Sequence, residues 1–246
     1  MKRIILQISA VLALISFMAL SSCDTLLKVA NEAMQYPASV PLTADEVARG
    51  LKEALKVGTD SAVGRLAKTD GYYLDKFVKI NLPPQTNQIV AYAQRVPGLD
   101  KLIADVVVQI NRSAEDAVKD AAPIFKSAIT QITIADAFGI LNGADTAATH
   151  YLRGKTYDQL FDLYQPVMQK SLNKPIVANV SAQKSWNELT SKWNTFANST
   201  AGKLLKVNAI NINLDEYVTQ QALSGLFVKV GNEEQEIRTN INARVT

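Results

Sequence analysis

Asp145, Thr149 and Arg153 stand four residues apart, so one helix would set a carboxylate, a hydroxyl and a guanidinium along a single face. Such a trio can orient an anionic ligand or a peptide through charge-assisted hydrogen bonds. Thr146, His150, Tyr151, Lys155 and Thr156 surround it, making this the richest polar cluster in the chain. The same residues also have a purely structural account. Asp145 follows the helix-stopping pair Asn142-Gly143 and can cap the next helix, Thr149 is then incidental, and Arg153 pairs with a neighbouring carboxylate. Asp145, Thr149 and Arg153 are therefore the candidate ligand-binding residues, with capping expected to dominate for Asp145. His150 is the only imidazole, but its sequence neighbours Thr149 and Tyr151 would not face it on a helix, so an exposed side chain is expected.

Little else could do chemistry. The chain has no Gly-x-Ser-x-Gly elbow, no Walker A loop and no Gly-x-Gly-x-x-Gly turn, so no catalytic residue and no cofactor is assigned. One Cys and one His exclude a Cys-rich zinc site and a multi-His site. Asp70 with Asp75, and Glu233-Glu234 with Glu236, could hold a divalent cation only weakly, because neither has EF-hand loop chemistry. The formal charge is +3. Without Lys2 and Arg3 the balance is 24 positive against 23 negative side chains, which argues against a nucleic-acid partner.

Cys23 is the exception. Lys2 and Arg3 precede an apolar run over residues 4–20, interrupted by Gln7, Ser9 and Ser16. Its 17 residues fall short of the roughly 20 that span a bilayer and suit a secretory leader. Leu20-Ser21-Ser22-Cys23 follows directly and resembles the bacterial lipobox. The resemblance implies cleavage before Cys23 and acylation of its thiol, hence a membrane partner held through lipid. The expected organisation is a leader over 1–22, a tether over 23–41 with Pro37 and Pro41, and a domain over 42–246. Asp24 does not decide between inner and outer membrane.

The elements that must position these residues read as helices. Thr43 and Glu46 form a capping box, and Val47, Leu51, Leu55, Ala62, Val63 and Leu66 recur at helical spacing after it. Residues 77–82 alternate briefly and could be extended. A helix is expected over 87–95. A long apolar stripe then runs from Leu99 to Ile132 and is kinked or split at Pro123. Arg112 with Asp116, and Glu115 with Lys119, are expected to form a solvated ion-paired face. Thr133 and Asp136 cap a short helix to about Leu141. Gly154 is expected to end or weaken the Asp145 helix, Thr156 to Gln159 to cap another, and Pro166 to bend it. Trp186, Leu189, Trp193 and Phe196 mark an aromatic helix face, expected to be core rather than a ligand shelf. Residues 209–214 carry the best strand signal, and a last helix starts near Asp215. The fold class is all-α: one multi-helix domain with at most one short β hairpin or strand pair.

Several segments together resemble a family of bacterial envelope proteins described as domain of unknown function 4197. They are Leu42-Thr43 with Gly50-Leu51-Lys52-Glu53-Ala54-Leu55 and Val57-Gly58-Thr59, then Pro123-Ile124-Phe125 with Ala128-Ile129. Gly143-Ala144-Asp145-Thr146-Ala147-Ala148-Thr149 follows, with Tyr151 and Arg153. The last is Asp215-Glu216-Tyr217-Val218-Thr219 with Ala222-Leu223 and Gly225-Leu226-Phe227. The resemblance implies an exported, largely helical protein and brings no established activity. The expectation is a membrane-tethered, non-enzymatic module that binds another envelope component or itself. The alternatives are a carrier of small molecules or lipid with Trp186, Trp193 and Phe196 lining its pocket, and a hydrolase working through Asp145 and Thr149.

Overall fold

Apolar residues at helical spacing dictate almost every element of the computed structural model, which describes residues 43–240. The leader, Cys23, the tether, Leu42 and the C-terminal residues 241–246 lie outside the described residues. Helix α1 spans Ala44–Leu66 and buries Leu55, Ala62, Val63 and Leu66. A 3₁₀ turn leads into α2, Asn87–Tyr92. Helix α3 spans Leu99–Ala117. Its stripe does split near Pro123: a 3₁₀ turn over Val118–Ala121 absorbs the break, and α4, Ala122–Thr130, restarts with the proline in its first turn, where a missing N–H costs nothing. Helix α5, Ile134–Leu141, opens with the expected reciprocal box between Thr133 and Asp136.

Helix α6 departs from expectation. It runs unbroken over Ala147–Asn173, through both Gly154 and Pro166. Ala148, Leu152, Thr156, Leu160, Tyr164, Met168 and Leu172 form its buried stripe. Gly154, Pro166 and Asp162, whose carbonyl loses its partner to the proline, all face solvent. The local costs therefore fall on the wet side, where water replaces the lost bond. Thr156 caps nothing; its hydroxyl bonds back to the Leu152 carbonyl within the same helix.

Helices α7 (Ala182–Asn198) and α8 (Thr200–Leu204) precede α9, Leu214–Thr239. Trp186, Leu189 and Trp193 are buried; the Trp193 and Phe196 ring centroids lie 6.4 and 6.5 Å from that of Tyr92 and 5.5 Å from each other. This aromatic face is core. Helix α9 is buried over much of its girth and runs antiparallel to α6: Gln165 meets Asp215 at one end, and Thr149 meets Glu234 at the other. The described residues from Asp45 onward belong to one compact unit. Among the described residues no single helix is long and apolar enough to cross a membrane.

No strand forms among the described residues; the one β contact is an isolated bridge between Val177 and Val180. The two strand-like segments are instead locked onto helices by asparagine. The Asn111 amide accepts from the Ile80 N–H (2.9 Å) and donates to the Ile80 carbonyl (2.7 Å). Asn194 does the same for Ile210, at 2.8 and 3.0 Å. Each amide supplies the two bonds a neighbouring strand would have made.

The segment 67–83 is a strap across α3 and α9. Glu115 accepts from the backbone N–H groups of Tyr72 and Tyr73, and Arg112 bridges Glu115 and Asp70. This corrects the solvated ion-paired face expected of α3. The Glu115 side chain is only 6% exposed, and its partners are Arg112 and the strap backbone rather than Lys119. Asp116 turns to Ser171 and Lys174 at the end of α6. On α9, Gly225 lets the strap approach: a Cβ there would sit 3.0 Å from Tyr72 and 3.1 Å from Val78.

Candidate functional site

The start of α6 meets α9 where the sequence placed its polar cluster. The N-cap of α6 is Thr146, which makes no side-chain cap bond, and Asp145 is exposed with no side-chain bond among the described residues. The capping role expected of Asp145 is therefore corrected. Glu234 of α9 performs it. Its two carboxylate oxygens accept from the N–H groups of Ala148 (2.9 Å) and Thr149 (2.8 Å), and the Thr149 hydroxyl donates to it as well, at 2.8 Å. Negative charge at a helix N-terminus is favoured by the orphan N–H groups and the helix dipole.

Arg238, one turn further along α9, completes the device. Its guanidinium donates to Glu234 at 2.8 and 3.0 Å. It also donates to the Ile140 carbonyl at 2.9 Å, with a longer bond to Leu141. One face of α9 thus caps the C-terminus of α5 with a cation and the N-terminus of α6 with an anion. The Glu234 side chain is 6% exposed and that of Arg238 21%.

Beside this network α6 and α9 leave a groove of about 300 Å³. Thr149, His150 and Arg153 line one wall; Phe227, Asn232 and Gln235 line the other. The Arg153 guanidinium lies 5.6 Å from the ring centroids of both Tyr157 and Phe227. Among the described residues it has no ion pair. A guanidinium held by aromatic faces keeps its in-plane donors free for a carboxylate or phosphate. Of the candidate trio, then, Thr149 and Arg153 share the groove, Thr149 with its hydroxyl already committed, and Asp145 stays outside.

Chemistry at Thr149 would need a base with a free lone pair. Among the described residues the carboxylate bonded to Thr149 is Glu234, and it already accepts two backbone N–H groups, a hydroxyl and a guanidinium. The acidic cluster at 233–236 also disperses: Glu233 pairs with Arg65 and Glu234 with Arg238. Asp70 and Asp75 likewise turn to Arg112 and Lys229. Among the described residues no three His, Cys, Asp or Glu side chains gather as a metal site requires.

Sequence singled out Glu234 only as part of a weak cation cluster, and Arg238 and Phe227 not as site residues. The signal for the first two was their i,i+4 spacing on a helix; Phe227 stood in the Gly225-Leu226-Phe227 segment of the family resemblance. An apolar cleft of about 200 Å³ between α1 and α9 adjoins the same network, lined by Leu51, Leu55, Leu141, Val230 and Ile237.

No curated protein and no solved structure matches the chain. The match is to the family described as protein of unknown function (DUF4197), and it covers residues 41–246, including every helix described above; the chain belongs to that family.

Proposed function

We propose that the protein is a lipid-anchored module of the bacterial envelope that binds, without chemistry, an anionic group of another envelope component in the α6–α9 groove. The observation that carries the reading is Arg153: a cation seated on two aromatic rings, facing a groove, with no carboxylate partner among the described residues. Asn232, Gln235 and His150 around it supply hydrogen-bonding groups that fix orientation. The lipobox residues ending at Cys23 support the tether, and the intact mass of the membrane fraction tests it. Acylated Cys23 is expected, lost in Cys23→Ser; an unmodified chain retaining residues 1–22 would sink the idea.

The groove is tested by a photoreactive residue at Gln235 in cells. Crosslinked envelope species should be captured by the parent chain and lost in Arg153→Ala, with thermal unfolding within about 1 kcal/mol of the parent. Capture that survives Arg153→Glu refutes the groove. The apolar α1–α9 cleft favours a second reading, a carrier of a short apolar group. Under that reading Ala54→Phe, which would fill the cleft, abolishes binding and Arg153→Ala does not.

A further inference from the structure

The strap that crosses α3 and α9 turns two large apolar side chains outward. Leu74 is 71% and Phe77 72% exposed, while Tyr72, Val78 and Ile80 on either side are buried. This exposure is enforced. Glu115 holds the backbone at Tyr72 and Tyr73, the Tyr72 hydroxyl bonds to the Ala222 carbonyl at 2.9 Å, and Asn111 holds both groups of Ile80. Lys229 grips Asp75 between the two exposed residues. A strap held so tightly cannot fold Leu74 or Phe77 back onto the domain, so their hydrophobic surface stays in water unless something covers it.

Charge says what covers it. Both strap carboxylates are ion-paired, Asp70 with Arg112 and Asp75 with Lys229. The basic groups are Lys68, Lys76 and Lys79; the Lys76 ammonium lies 5.0 Å from the Phe77 ring centroid and that of Lys79 4.2 Å from Tyr73. Protruding leucine and phenylalanine with lysines beside them match the boundary of an anionic bilayer: rings and alkyl stems enter the acyl edge while ammonium groups meet the headgroups.

We propose that the strap tip, Leu74 and Phe77 with Lys76 and Lys79, is a second membrane contact, inserted shallowly into an anionic lipid surface. The proposal rests on the tether reading only for keeping the domain near that surface. Reach permits it. The strap leaves the far end of α1, whose 23 residues extend about 34 Å, and residues 24–43 can span at most about 70 Å.

The test uses the full chain carrying Phe77→Trp, in vesicles of equal parts phosphatidylcholine and phosphatidylglycerol, with or without bromine on the acyl chains. Trp186 and Trp193 are buried, so the parent chain sets the baseline. Brominated lipid should quench the new tryptophan several-fold more than the parent. Phosphatidylcholine alone, or Lys76→Glu with Lys79→Glu, should remove most of that quenching. No quenching above the parent overturns the proposal, and so does quenching indifferent to lipid charge and to both lysines. Intact mass of the same samples reads Cys23. An acylated chain without quenching loses the strap and keeps the tether; an unacylated chain loses the tether, and quenching at saturating vesicle concentration still decides the strap.

Discussion

Replacing Glu234 with alanine separates a cap built across the fold from one built locally. The change strips two backbone N–H groups and the Thr149 hydroxyl of their acceptor and removes both Glu234 bonds from the Arg238 guanidinium. A single lost cap costs about 0.5–2 kcal/mol. Breaking a buried pair from one side costs about 3–5 kcal/mol, because the partner charge stays behind. With the Glu234 side chain 6% exposed, the second mechanism governs, and Glu234→Ala is expected to lose about 3–5 kcal/mol. In a domain of this size that lowers Tm by on the order of 10 °C. Glu234→Gln should retain part of the cap, since its amide oxygen still accepts while its NH2 faces donors. Urea unfolding at constant slope gives the values, and a cycle with Arg238→Ala should show coupling of about 1–3 kcal/mol. Asp145→Ala, by contrast, should stay within about 0.5 kcal/mol, as an exposed side chain without a bond. A loss below about 1 kcal/mol for Glu234→Ala, with an Asp145→Ala loss that Asn or Ser rescues, would refute the reasoning.

Asn111→Ala leaves both backbone groups of a buried Ile80 without partners and should cost about 2–4 kcal/mol; Asn111→Asp should not rescue it, since a carboxylate cannot donate to the Ile80 carbonyl. Gly225→Ala should destabilise by about 1–3 kcal/mol by overpacking Tyr72 and Val78, while Gly154→Ala on the wet face of α6 should stabilise by up to about 1 kcal/mol. Burial pushes Asp75 and Asp116 upward, but Lys229 with the Phe77 N–H, and Lys174 with Ser171, outweigh it and hold both carboxyls below the usual range. Their stabilisation is therefore complete above about pH 4 and lost as pH falls through the lowered values, so Lys229→Met should blunt acid unfolding. Tyr151 is pushed up to about 12 by burial and by Asp136; its contribution is present below about pH 10 and lost as pH rises toward that value, and Tyr151→Phe should reduce the alkaline loss of stability, the remainder coming from Tyr72, Tyr164 and Tyr217, which burial also raises.

Period and punctuation made the helices legible. The Thr133–Asp136 box, the split at Pro123 and the aromatic core face of α7 all depend on residues within a few positions of one another. What escaped depends on distance along the chain. Asp145 has the right type at the right place for a cap, yet Glu234 took the role from 85 positions away, and no local pattern distinguishes the two. Arg112, Glu115 and Asp116 have the spacing of a wet ion-paired face; the strap that dries it begins some forty positions earlier. Gly154 and Pro166 are genuine helix weaknesses, but each faces solvent while the opposite stripe packs on α9. Type and spacing made Arg153 a candidate; of its two aromatic neighbours, Tyr157 is a turn away on the same helix, whereas Phe227 belongs to another helix and left no local signal.

Asn111 and Asn194 have a consequence for how the chain behaves among copies of itself. Ile80 and Ile210 each lie in a short β-prone run, the kind of segment that recruits another chain along an open backbone edge. A helix amide occupies the donor and the acceptor of each isoleucine, so in the native state neither run can template a growing sheet at that residue. These asparagines serve as guards against polymerisation, and a variant lacking one should form thioflavin-positive aggregates at temperatures where it is still largely folded.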